Sequence, residues 1–400
     1  MKITAVESIR LEEFPNLLWV EIHTDEGLTG LGEAFYGPEA AEAHLHEIVA
    51  PYLLGKDPRL VDKHSKAMVG YIGFASSGAE TRAASAADIA LWDIWGQATN
   101  QPIHALLGGA TWDSVRAYNT CAGYQYVRSA KQQSTKSFGL PGGGAEGPYE
   151  DLDGFLNRAD EVAESLLEMG IDGMKIWPFD YAAEKTGGQY ISPGDLKTAL
   201  QPFEKIRKAV GDKMDIMVEL HSMWGLTAAK RIARALEDYE PFWFEDPIKM
   251  DNLKAVADFA RSTRIPVTAS ETLGYRGPFR DLFEREAVGI CMFDLSWCGG
   301  ITEAKKICTM AEAYSLPVAP HDCTGPVLLT ASVHLAQNAT NTLVQEVVRA
   351  FYYGWYDEIV TALPPLENGR IRAPEGAGLG LKLLPDVKKR ADAHTRISKV

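Results

Sequence analysis

Six acidic or imidazole side chains each close a short apolar run and recur at nearly constant intervals. They are Glu219, Glu245, Glu271, Asp294, His321 and Glu346, separated by 26, 26, 23, 27 and 25 residues. A strand with its crossover helix and connections takes about 25 to 30 residues, because a parallel connection alone needs a dozen or more. The spacing therefore puts the six residues at equivalent places on consecutive parallel strands, converging on the carboxyl-end rim of a barrel.

The surrounding pattern agrees. Eight apolar runs read as strands, at residues 115–121, 173–177, 216–221, 243–245, 267–270, 290–295, 318–320 and 343–346, alternating with amphipathic helices. The predicted fold class is α/β, a TIM barrel. Residues 1–118 read as a separate α+β domain. Strands at 17–24 and 28–34 flank an Asp25-Glu26-Gly27 turn, and helices follow at 38–52, 58–69 and 79–98. The last of these carries Ala83, Ala86, Ala87, Ala90, Leu91 and Ile94 on one face. The barrel is expected over 119–360. Residues 361–400 are too turn-rich for another barrel unit and are expected to cross back to the amino-terminal domain. The glycine-rich stretch 139–148 lacks the strand-turn-helix frame of a phosphate loop and is expected to be a mobile loop near the barrel mouth.

Composition narrows the partners. The 400 residues carry a formal net charge of −14 with no long basic run, which argues against nucleic acid. The amino terminus lacks a signal-type apolar region and no run of about 18 apolar residues occurs, so no membrane contact and a cytoplasmic location are expected. The five cysteines are odd in number and lack metal-site spacing, as buried reduced thiols would be.

Three carboxylates forced together at Glu219, Glu245 and Glu271 would repel one another unless a cation lay among them, and oxygen-only ligands select a hard divalent ion, Mg2+. Asp294 and His321 fall on neighbouring strands, where the carboxylate would fix the imidazole tautomer and raise its basicity. Glu346 either faces substrate or pairs with Arg349 at the rim. His221 follows Glu219 by two residues, and Trp177 follows Lys175 by two, so strand alternation predicts one face for each pair. Lys175 in an acidic mouth would bind an anionic group or serve as a base.

The chain resembles the enolase superfamily, mandelate racemase subgroup, over nearly its whole length. The motifs are Ala90-Leu91-Trp92-Asp93-Ile94, Gly96, Pro102, Leu106-Leu107-Gly108-Gly109, Trp243-Phe244-Glu245-Asp246-Pro247, Ser270-Glu271, and Asp294 followed by Gly299-Gly300-Ile301-Thr302-Glu303. The tail from Asn368 to Gly380 fits the family's returning segment. The resemblance implies a modified TIM barrel of (β/α)7β type under an α+β cap built from the amino-terminal region and the tail. It also implies Mg2+ on Glu219, Glu245 and Glu271, a His321–Asp294 general-base pair, and Glu346 at the substrate carboxylate. The first step implied is removal of a proton α to a carboxylate.

Racemases of this subgroup carry Lys-x-Lys on the second barrel strand. Here the motif is Lys175-Ile176-Trp177, and tryptophan cannot take a proton. Glu219-Leu220-His221 looks instead like the acid-sugar dehydratases, such as galactonate dehydratase, in which the histidine serves the departing 3-hydroxyl. The expected reaction is thus Mg2+-dependent dehydration of a sugar acid (aldonate or aldarate) to a 2-keto-3-deoxy acid through an enediolate. His321, Asp294, His221, Lys175 and Glu346 are the expected catalytic set, and Lys175, Trp177 and Glu346 are expected to bind substrate. Alternatives are a one-base cycloisomerase or epimerase of a sugar acid or its lactone, and a non-catalytic acid-sugar binding protein. Relatives are commonly multimeric, so a homo-oligomer is expected. Specificity is expected from the loops at Phe14-Pro15-Asn16 and Tyr36-Gly37-Pro38 and from the glycine-rich segment.

Overall fold

The computed structural model describes residues 1–69, 77–128 and 147–400. Strands β1 (Ile3–Leu11), β2 (Leu17–Thr24) and β3 (Thr29–Phe35) form an antiparallel meander. Sequence patterning marks β2 and β3 but not β1. The helix Ala79–Thr99 lies directly on β3, and glycine makes the approach possible. A Cβ at Gly30 would sit 2.0 Å from the Ala90 carbonyl oxygen, and one at Gly32 would sit 1.9 Å from that of Ala86. The predicted apolar face of this helix is buried, and so is most of the opposite face.

That opposite face explains the motif around Trp92. The Trp92 indole donates to Thr302 Oγ1 (2.8 Å), and Asp88 accepts the Thr302 N–H (2.9 Å). Asp93 accepts N–H groups from Leu31 (2.9 Å) and Leu379 (2.8 Å). One helix thus ties the meander, a barrel helix (Gly300–Ala313) and the tail together through buried hydrogen bonds that are costly to leave unmade.

The barrel strands are β4 (Val115–Thr120), β5 (Gly173–Ile176), β6 (Asp215–Glu219), β7 (Trp243–Glu245), β8 (Val267–Ala269), β9 (Ile290–Asp294), β10 (Val318–His321) and β11 (Gln345–Val347). They pair in parallel and in chain order from β4 to β10, and β11 pairs with β4. Backbone bonds from Val318 to Asn341 and from Leu343 to Val318, each 2.9 Å, join β10 to the approach of β11. Among the described residues the only α-helix after β11 is the four-residue Arg349–Tyr352, consistent with a (β/α)7β barrel.

Inside the barrel, Tyr118, Met217, Trp243, Ile290, Met292, Ala319 and Val344 make a separate apolar cluster. Five of them precede Glu219, Glu245, Asp294, His321 and Glu346 by two residues each, so strand alternation stacks a polar layer on this apolar one.

The tail does not cross straight to the cap. Strands β12 (Leu366–Glu367) and β13 (Arg370–Ile371) first form a hairpin that pairs antiparallel with the start of β4. Gly378 then exchanges backbone bonds with Gln101 and Ile103. Finally β14 (Ala393–Lys399) adds to the edge of β1. All five cysteines are buried free thiols. Among the described residues no helix is long and apolar enough to cross a membrane. Residues 139–146 of the glycine-rich stretch lie outside the described residues.

Candidate active site

The polar layer opens into a cavity of about 490 Å³ between barrel and cap. Its barrel wall includes Lys175, Trp177, His221, Glu271 and His321, and its cap wall includes Tyr36 and Arg82. Glu219, Glu245 and Glu271 each offer an oxygen, and these lie within 4.8 Å of one another. Glu219 and Glu245 are buried, and Glu271 lines the cavity. An all-oxygen set of that spacing fits a hard divalent cation such as Mg2+.

Lys175 Nζ lies 2.6 Å from Glu245, 3.0 Å from Glu346 and 3.6 Å from Glu219. Burial opposes its charge, but Glu245 and Glu346 outweigh burial and push the ammonium well above its usual range. Burial and the Glu219 charge push Glu245 well up, while His221 and Lys175 overcome burial and hold Glu219 at about 2.

His321 Nδ1 is 2.7 Å from Asp294 Oδ2, and the other Asp294 oxygen accepts from Ser296 N–H (2.6 Å) and Oγ (2.5 Å). The carboxylate is thereby fixed and orients the ring. His321 Nε2 is 2.6 Å from Glu271, so Glu271 belongs both to the carboxylate trio and to the histidine. Burial opposes protonation of His321, but Glu271, Glu346 and Asp294 outweigh it and raise the imidazole well above its ordinary value.

His221 reaches the cavity differently from the sequence expectation. Strand β6 ends at Glu219, and His221 lies beyond it at φ 48, with its N–H donating to Glu219 Oε1 (2.6 Å). A left-handed turn, not strand alternation, delivers the ring. Its Nδ1 is 2.8 Å from Asp180 Oδ2. Burial lowers the imidazole, but Asp180 and Glu219 overcome it and raise the value to about 9. Trp177, one residue past β5, packs edge-on against the same ring at 5.7 Å and against Phe155 at 5.2 Å.

Glu346 does not pair with Arg349, which forks onto Asp151 through two 2.7 Å bonds. Glu346 is fully buried and accepts from Tyr118 OH (2.9 Å), Asp322 N–H (3.0 Å), Thr120 Oγ1 and Lys175. It lies beneath the cavity floor. Phe14 likewise packs inward, 4.6 Å from Trp355, whereas Tyr36 does line the cavity. Sequence reading missed Asp180, which closes no strand and carries no motif, and Arg82, which sits in a cap helix far along the chain from the barrel ladder.

The cap and barrel match two family models. Residues 5–108 match the mandelate racemase/muconate lactonizing enzyme N-terminal domain, and residues 157–387 match the enolase C-terminal domain-like family. D-galactonate dehydratase of Ralstonia nicotianae is 31% identical over 96% of this chain and 92% of that protein. D-xylonate dehydratase of Haloferax volcanii is 29% identical over 96% and 87%. A crystal structure of an enolase of the mandelate racemase subgroup from Agrobacterium tumefaciens is 55% identical, covers 100% of this chain and 99% of that one, and superposes with a TM-score of 0.89. With cap and barrel both matched along the chain, the protein belongs to the mandelate racemase subgroup of the enolase superfamily.

Proposed function

We propose that the protein is a Mg2+-dependent dehydratase that removes water across C2 and C3 of a sugar acid, an aldonate or aldarate, and releases a 2-keto-3-deoxy acid. The observation that carries this reading is two imidazole–carboxylate pairs on one cavity, His321 with Asp294 and His221 with Asp180. Elimination of a hydroxyl needs a base and an acid in the same chamber. Similarity to proteins named D-galactonate and D-xylonate dehydratase supports it.

In this reading the substrate carboxylate meets Lys175, which Glu346 and Glu245 hold in place. His321 acts from its neutral form, exchanging Glu271 at Nε2 for the substrate and taking the C2 proton. Asp294 keeps the Nδ1 proton in position. The C2–H electron pair enters an enediolate and then forms the C2–C3 double bond as the C3–O bond breaks. His221 donates a proton to the departing hydroxyl, which leaves as water, and the enol tautomerises to the 2-keto acid. Mg2+ bound at Glu219, Glu245 and Glu271 would neutralise charge building on the carboxylate oxygens. Trp177 offers no proton acceptor, so deprotonation is confined to the face served by His321.

A panel of sugar acids assayed for 2-keto product, with and without a chelator, tests the reading. Chelator-sensitive 2-keto-3-deoxy acid is the expected result. A product of unchanged composition would overturn it in favour of a cycloisomerase or epimerase.

A further inference from the structure

Arg82 is the fourth residue of the 21-residue helix Ala79–Thr99 and projects from the cap into the cavity. Its guanidinium carbon lies 4.9 Å from the Trp297 ring centre and 5.7 Å from that of Tyr36. Trp297 in turn lies 6.4 Å from the His321 ring. The other cationic or imidazole groups on the cavity wall are engaged: Lys175 by three glutamates, His321 by Asp294 and Glu271, and His221 by Asp180. Among the described residues no carboxylate pairs with Arg82, and its buried Nε has no acceptor.

Three features make this a costly place for a cation. Burial disfavours the charge and lowers the proton affinity of the guanidinium. The amino end of a helix carries partial positive charge, so a cation near it is repelled. A shielded N–H without an acceptor loses its hydrogen bond outright. An anion in the cavity would relieve all three. The two aromatic neighbours flank the guanidinium, and a guanidinium can pair with a carboxylate or phosphate in planar, two-pronged fashion.

Building on the dehydratase reading, we infer that Arg82, flanked by Tyr36 and Trp297, binds a second anionic group at the end of the sugar acid remote from Lys175. The substrate is then anionic at both ends and terminates in a second carboxylate or a phosphate. A neutral polyol end would leave Arg82 with only the through-space charges of Asp294 and Glu80 and no paired anion.

The test compares a hexonate, the hexarate and the 6-phosphohexonate across a panel of configurations, in the wild type, Arg82→Lys and Arg82→Met. Both turnover to 2-keto acid and calorimetric binding are measured. A dianion should be preferred to the hexonate by roughly 10- to 100-fold, mostly in KM. The preference should vanish in Arg82→Met and persist in part in Arg82→Lys, and the better dianion identifies the terminal group. Preference for the hexonate in the wild type, or a dianion preference that survives Arg82→Met, would overturn the inference. Turnover without any dianion preference would sink the Arg82 role alone. Dianion binding lost in Arg82→Met without loss of water from any acid would sink the dehydratase reading and leave Arg82 standing.

Discussion

His221 Nδ1 lies 2.8 Å from Asp180 Oδ2, an imidazole–carboxylate pair that repeats, within one cavity, the 2.7 Å pairing of His321 with Asp294. Asp180 is fully buried, so its charge acts on the ring with little screening. The carboxylate orients the imidazole through Nδ1. The two pairs can therefore divide labour, one taking a proton and the other giving one.

Asp180→Asn keeps the shape but loses the charge that holds His221 protonated. Dehydration should fall by about 10²- to 10⁴-fold, the usual worth of a general acid, while exchange of the C2 proton with solvent deuterium persists. NMR of substrate recovered from D2O reads both. Equal loss of exchange and dehydration would assign Asp180 a purely architectural role.

The histidines themselves should separate in the same assay. His321→Asn should abolish both exchange and water loss, because no enediolate forms. His221→Asn should block water loss yet retain exchange, and a C3-fluoro analogue, whose leaving group needs little protonation, should recover much of the rate. If His221→Asn erases exchange as thoroughly as His321→Asn, His221 is not a dedicated acid.

Glu245 belongs to the carboxylate trio and also sits 2.6 Å from Lys175. Glu245→Gln removes one ligand charge, so Mg2+ binding by calorimetry and turnover should collapse together. Circular dichroism should report an intact fold, since easing carboxylate repulsion does not unpack a barrel. Full activity of this variant in the presence of a chelator would refute the metal assignment.

Glu33 offers a test of pH and stability. It is buried in the cap, accepting from the Trp19 indole (2.7 Å) and Leu328 N–H (3.3 Å), and burial outweighs those bonds and raises its carboxyl to about 8. The ordinary value is 4.5. The folded protein therefore holds an extra proton between the two values. Stability is full at the acid end and declines as pH rises toward 8, by up to about 1.4 kcal/mol per pH unit. Asp88, raised to about 7, and Asp93, raised to about 6, act in the same direction. Glu33→Gln should raise Tm above wild type at pH 8, with the gap narrowing toward pH 5. A gap independent of pH would show that Glu33 is ionised in the fold.

The barrel and most of its polar layer were legible in the one-dimensional sequence. A βα unit has a nearly fixed length and a strand has a period of two, so the 23- to 27-residue rhythm of Glu219, Glu245, Glu271, Asp294, His321 and Glu346 projects directly onto a ring. What the tertiary structure decided lies in contacts that no local period encodes. Strand β1 gains its outer partner from residues near 393–399, and that pairing leaves no trace in either segment's own pattern. His221 is aimed by a left-handed turn after β6, and Asp180 meets it from the first turn of the helix Asp180–Thr186. Glu346 is drawn under the floor by donors from β4, β5 and the segment after β10. Arg82 enters the cavity only because the cap helix packs over the barrel mouth. Chain periodicity sets which residues share a strand end; which of them touch is set by how the layers close, a matter of packing between elements far apart in sequence.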